Sequence, residues 1–237
     1  LSNDEVHILI CGDSFCVTDP DFPGLHWSEK ISNYSPNFKI SNLAYGGSSN
    51  ALISLQMMQG MKLNPDFVIF SFTNPLRYEF DNDTAVLPRS FSDLDIADYI
   101  KKRYTTTCYF ENKEKIKTTD HWLASAASIN MEMIKNYMYL VLCLTTCATN
   151  KIPFCYSTGG FLDNIGQLTN SNYIKNLAND YQEQALMTNL WNHRTTHKNA
   201  GHLNGSNTRP YFHISDDAVQ SLFANECIDH IVRKKSC

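Results

Sequence analysis

The chain has 237 residues, enough for one α/β domain with a sizeable core and short for two. Hydrophobic residues make up 43% and charged residues 19%, a globular rather than a disordered composition. The net charge of -4, from 20 Lys and Arg against 24 Asp and Glu, leaves no basic excess to serve a nucleic-acid partner.

Residues 6–11 (VHILIC) are a nearly continuous apolar run that stops at Gly12-Asp13-Ser14. Such a run reads as a buried parallel strand feeding a turn. Residues 25–34 set Trp27, Lys30, Ile31 and Tyr34 at helical spacing, and residues 38–43 (FKISNL) alternate like a second strand. A Gly46-Gly47-Ser48-Ser49-Asn50 loop follows, with Asn50 the expected cap of a helix over 52–61. Past the turn Asn64-Pro65-Asp66, residues 67–72 (FVIFSF) read as a third buried strand. This alternation predicts a three-layer α/β/α architecture around a doubly wound, mostly parallel sheet.

Residues 76–120 break the rhythm with polar residues, Pro88 and several Asp. They read as an insertion or lid over the C-terminal edge of the sheet, or as a surface excursion without a role. Apolar residues from Leu123 to Thr145 then recur every three or four positions, predicting a helix over 121–150. A fourth strand is expected over 152–156, a helix over 173–191, and a polar loop over 193–210. The closing helix is expected over 215–232, with Ser215 as its cap and Asp216 and Asp217 in its first turn. No repeat or low-complexity linker divides the chain, which reads as a single domain over 1–237.

Of the 8 cysteines, Cys11, Cys143, Cys147 and Cys155 lie in apolar runs, and no CxxC pair occurs. They are expected as buried small hydrophobes in a reducing compartment. The first residues are polar, without the pattern of a leader, and the longest apolar stretch (137–148) is too short to span a bilayer. A cytoplasmic protein with no membrane partner is the expectation.

In an open parallel sheet, ligands sit beyond the C-terminal ends of the strands. The first strand ends in Gly12-Asp13-Ser14-Phe15, the second near Asn42 before Gly46-Gly47, and the third in Thr73-Asn74, while His213 precedes the closing helix. A serine is a poor nucleophile without a base within hydrogen-bond reach. A tetrahedral oxyanion needs donors, which a closely approaching glycine N–H and an asparagine amide supply. Ser14, His213, Gly47 and Asn74 are of the residue types that acyl transfer requires.

These segments resemble, in order and wording, the four blocks of the SGNH (GDSL-like) hydrolase superfamily. The blocks are Gly12-Asp13-Ser14-Phe15, the stretch from Asn42 to Gly47, Ser71-Phe72-Thr73-Asn74-Pro75, and Pro210-Tyr211-Phe212-His213. The likeness covers nearly the whole chain in strand order, but only short motifs match in wording. Gly-Gly-Ser-Ser-Asn, with Thr73 and Arg77, looks most like variants from bacteriophage genomes, which extends the expected location to a host cell or virion. The resemblance implies a serine esterase with no cofactor and no metal. Ser14 is its nucleophile, His213 its base, and the N–H groups of Ser14 and Gly47 with the Asn74 amide its oxyanion hole. The implied partner is a small-molecule or glycan ester, with O-acetyl carbohydrates favoured. Arg77 and Asp13 are candidate substrate-binding residues, an ordinary surface arginine being the competing reading of Arg77.

Two departures stand out. Pro210 replaces the Asp that orients the histidine in the family, and Phe72 and Pro75 replace its third-block Gly and Asp. An unsupported imidazole can hold the wrong tautomer. Three alternatives follow: another group, such as Asp216 or Asp217, orients His213; a Ser-His dyad suffices; or the site binds without turnover. A silent glycan-binding or viral structural protein, and a lipase or thioesterase, therefore stay open. His193, His197 and His202 are interleaved with Arg194 and Lys198 and broken by Gly201, so they read as solvated loop residues rather than zinc ligands.

Overall fold

A computed structural model describes residues 5–18, 23–73, 129–158, 180–188, 190 and 216–235. The expected insertion over 76–120, most of the 193–210 loop, and Asn74, Arg77, His213 and Ser215 lie outside the described residues.

Four strands, β1 (Val6–Gly12), β2 (Phe38–Asn42), β3 (Phe67–Ser71) and β4 (Phe154–Ser157), pair in parallel in the order β2-β1-β3-β4. The apolar runs form the interior strands because both of their faces are covered: every residue of β3 is buried, as is β1 from Ile8 onward. The edge strand β2 is only partly buried, with Lys39 and Asn42 exposed.

Four helices are described: α1 (Trp27–Tyr34), α2 (Asn50–Gly60), α3 (Ile129–Thr149) and α4 (Asp217–Lys235). The period-two pleat sorts the strand side chains between two cores. Val6, Ile8, Ile10, Phe67, Ile69 and Cys155 pack with Trp27 and Ile31 of α1 and Phe223, Cys227 and Ile231 of α4. Leu9, Cys11, Val68, Phe70, Phe154 and Tyr156 pack with Ile53 and Met57 of α2 and Tyr137, Leu140 and Leu144 of α3. The expected three-layer α/β/α fold is therefore present.

Two expectations are corrected. The helix expected over 173–191 is absent from its described part. Residues 182–184 make a short 3-10 turn, Ala185 then bridges Tyr156 in parallel, and the Leu186 N–H donates to the Tyr156 carbonyl at 2.8 Å. The open edge of β4 takes this segment as a partner, and tertiary pairing overrides local helix propensity. At α2 the cap is Ser49, whose hydroxyl accepts from the Leu52 N–H at 3.3 Å, while Asn50 is fully buried as the first helical residue. Asp216, immediately before α4, accepts the Ala218 N–H on its Oδ1 at 2.9 Å.

The chain steps outward from β1 to β2 and returns to the other side of β1 as β3. That reversal puts a topological switch point between the C-terminal ends of β1 and β3, where such sheets bind ligands. Ser14 and Thr73 follow these two strand ends. The open groove of about 760 Å³ lined by Met57, Met58, Met61, Leu142 and Ile152 lies at the opposite end, where β3 and β4 begin.

Candidate active site

Gly12 ends β1 opposite Ser71 of β3. A Cβ there would collide with Cys16 Sγ and come within 3.2 Å of the Ser71 carbonyl oxygen, so only glycine lets the chain fold back this tightly. Asp13 caps the 3-10 turn Ser14–Cys16: its Oδ1 accepts the Phe15 N–H at 3.0 Å and its Oδ2 accepts the Thr73 hydroxyl at 2.7 Å. The Asp13 carboxylate is thus fully buried between the two strand ends. In that position it braces the turn through the Phe15 N–H and ties it to the end of β3 through the Thr73 hydroxyl. Ser14, the first residue of the turn, is only partly buried.

Three side chains from two further segments hold the turn's carbonyls. His26 Nε2 and Trp27 Nε1 both reach the Phe15 oxygen, at 3.0 and 2.9 Å. Asn42 Nδ2 donates to the Cys16 oxygen at 2.7 Å. The Ser28 N–H donates to His26 Nδ1 at 3.2 Å, which fixes the proton on Nε2 and the ring as neutral. Burial lowers the His26 pKa to about 4, against a smaller opposing effect of its bond to Phe15. Burial, with the Asp13 charge second, pushes the Cys16 thiol far up. Cys16 is therefore no rival nucleophile, which would need a thiolate.

The loop after β2 folds over this turn. The Tyr45 N–H donates to the Gly12 carbonyl at 3.3 Å, and the Ser48 N–H closes a tight turn on the Tyr45 carbonyl at 3.2 Å. Gly47 supplies the left-handed residue this turn needs, at φ 84°. Its neighbour Gly46 faces the serine: a Cβ there would sit 4.0 Å from Ser14 Cβ. Of the residues singled out in the sequence, the structure brings together Ser14, Asp13 and the Gly46-Gly47 turn. Asn74 directly follows Thr73, and His213 stands four positions before α4.

Sequence reading passed over His26, Gln56 and the bracing role of Asn50. Gln56 is fully buried, its Oε1 accepting the Gly12 N–H at 2.8 Å and its Nε2 donating to the Gly12 carbonyl at 3.1 Å and to Ser48 Oγ at 3.0 Å. Asn50 treats Thr73 alike: Oδ1 accepts the Thr73 N–H at 2.9 Å and Nδ2 donates to the Thr73 carbonyl at 3.1 Å. One signal was present in the sequence. Gln56 falls on the helix face that carries Leu52, Ile53 and Met57, where a carboxamide must find polar partners. Asp216 and Asp217 both have partners of their own, the Ala218 N–H and Lys30 Nζ at 2.7 Å. Among the described residues, no three His, Cys, Asp or Glu side chains gather as metal ligands would, and no helix is long and apolar enough to cross a membrane.

No family model matches the chain, and no curated protein matches it. Solved structures similar in chain course include an acetylxylan esterase from Geobacillus stearothermophilus, with 10% identity and a TM-score of 0.49 over 96% of this chain and 94% of that one. A G-D-S-L family lipolytic protein from Desulfitobacterium hafniense shows 11% identity and a TM-score of 0.48 over 95% and 99%. The psychrotrophic esterase of a Pseudoalteromonas species shows 11% identity and a TM-score of 0.47 over 98% and 100%. These are likenesses of overall course, and the chemistry of the site rests on this chain's own residues.

Proposed function

We propose that the chain is a serine esterase of the SGNH type, hydrolysing O-acyl esters, with O-acetyl groups on carbohydrates the favoured substrates. The observation that carries this reading is the Ser14 turn. It stands at the switch point of the sheet, partly open, with Gly46 at its side and its carbonyls held by His26, Trp27 and Asn42. A preorganised nucleophile beside a close glycine backbone suits acyl transfer.

In the proposed reaction, Ser14 Oγ attacks the acyl carbon while His213 takes its proton. The N–H groups of Ser14 and the Gly46-Gly47 turn, with the Asn74 amide, hold the oxyanion. Collapse expels the alcohol, which receives the proton from His213. A water molecule then adds to the acyl-enzyme by the same route and releases the carboxylic acid. The Tyr- and Asn-rich composition suits sugar contacts, and Arg77 is placed in this proposal at the substrate. With Pro210 in place of the family's Asp, the proposal leaves the His213 imidazole to a backbone carbonyl, another carboxylate, or none.

A fluorophosphonate probe and a chromogenic acetyl ester test the reading. Wild type is expected to be labelled and to hydrolyse the ester, and Ser14→Ala and His213→Ala to lose both by a factor of at least 10³. A wild type that neither takes the probe nor turns over the ester refutes it. The Pro210 departure favours one rival, a silent glycan-binding protein on the same scaffold, which that outcome would support.

A further inference from the structure

Two carboxamides on one helix grip the two strand ends of the site in the same way. Gln56 bonds both the N–H and the carbonyl of Gly12, two residues before Ser14. Asn50 bonds both the N–H and the carbonyl of Thr73, the residue before Asn74. Each is fully buried, and each carries one more bond: Gln56 Nε2 to Ser48 Oγ at 3.0 Å, beside Gly47, and Asn50 Nδ2 to Asn136 Oδ1 of α3 at 3.1 Å.

A buried backbone pair at a strand end is ordinarily satisfied by the next strand. Here a side chain takes over that work where β1 and β3 stop pairing and their chains diverge. A carboxamide matches a peptide in shape and polarity, so it extends the ladder by one rung without fixing where the chain goes next. Both rungs spring from α2, whose six-residue interval from Asn50 to Gln56 is a fixed length of helix. We infer that Gln56 and Asn50 are positioning residues: α2 uses them to hold the nucleophile turn, the Gly46-Gly47 turn and the end of β3 at set distances from one another. The inference rests on the esterase reading above, since it gives that spacing a catalytic purpose. Neither residue touches substrate; they act through Gly12, Ser48 and Thr73.

Misplacing a reacting group by about 1 Å can cost a factor of about 10² in rate, and losing one oxyanion donor costs about 10² to 10³. The test is steady-state kinetics on the acetyl ester with full-length Gln56→Met, similar in length to glutamine but without its donors and acceptor. Circular dichroism at the assay temperature confirms that the variant is folded. The expected result is a fall in kcat of about 10- to 100-fold with KM within twofold of wild type, a split that a purely structural loss in a folded protein would not produce. Gln56→Glu is expected to recover part of the loss, since it keeps the acceptor for the Gly12 N–H. A folded Gln56→Met with kcat within twofold of wild type, or one whose KM alone changes, overturns the inference and leaves the esterase reading standing. Should Gln56→Met not fold, Asn50→Ala is read by the same criteria. A wild type inert to both probe and ester fails the esterase reading itself, and the inference falls with it.

Discussion

His26 shows what one buried side chain can contribute at the residue scale. Its neutral ring accepts from Ser28 and donates to the carbonyl beside the nucleophile, with almost no exposure to water. The folded protein binds a proton there only near pH 4, whereas the unfolded chain binds one near the ordinary value of 6.5. The depressed value makes stability rise with pH through this window, and it is lost as pH falls from about 6.5 toward about 4. The full loss is on the order of 3 kcal/mol. In urea titrations at a series of pH values, wild type should lose this amount relative to His26→Gln, which has no titrating group. A gap between the two that stays constant from pH 7 to pH 4 would contradict the assignment. Two glycines make a second comparison. Gly12→Ala meets Cys16 Sγ and the backbone of Ser71, so a loss of about 1–3 kcal/mol is expected from its guanidinium midpoint. Gly46→Ala meets Ser14 Cβ only at ordinary contact distance and lacks a positive φ. It should fold as wild type does while slowing phosphonate labelling of Ser14 several-fold, because the methyl narrows the approach to the hydroxyl.

At the element scale, the strands were legible and one helix was not. Each buried strand is a short apolar run bounded by Gly, Pro or Asp, and such runs have few other ways to satisfy their surroundings. The residues around Gln182–Gln184 have acceptable helix propensity, yet they serve the edge of β4. Nothing local in the sequence announces an edge that needs covering. The candidate site is legible in the sequence only in its local parts. Ser14 and the Gly46-Gly47 turn announce themselves through turn chemistry, which is local. Gln56 and Asn50 act on partners 44 and 23 positions away, and His26 on one 11 positions away. Their roles become visible only when the strands are placed side by side. The cap of α2 was misassigned by one residue because Ser49 and Asn50 are both good capping types. The structure gives the cap to Ser49 and turns Asn50 inward.

Across the whole molecule, two cores on opposite faces of the sheet bury six of the 8 cysteines as free thiols. Burial raises the pKa of Cys11, Cys16, Cys143, Cys147 and Cys227, so little thiolate is available for alkylation. Iodoacetamide at neutral pH is expected to modify no more than two thiols in the native protein and all 8 in guanidinium, as counted by intact mass. More than two fast-reacting thiols in the native state would show that one of the cores is open.

The layer that joins α1 to α4 has a consequence for timing. The Trp27 N–H donates to Gln220 Oε1 across 193 positions, Lys30 pairs with Asp217, and the Trp27 ring meets Phe223 edge-on. During synthesis, the face of the sheet bearing Ile8, Ile10 and Ile69 stays without its second covering helix until residues 217–235 have left the ribosome. Contacts of such separation form late and slowly. A nascent chain paused before that point carries a ready-made sticky surface next to an already assembled half-core. Until that helix docks, the exposed apolar face makes the chain prone to aggregation.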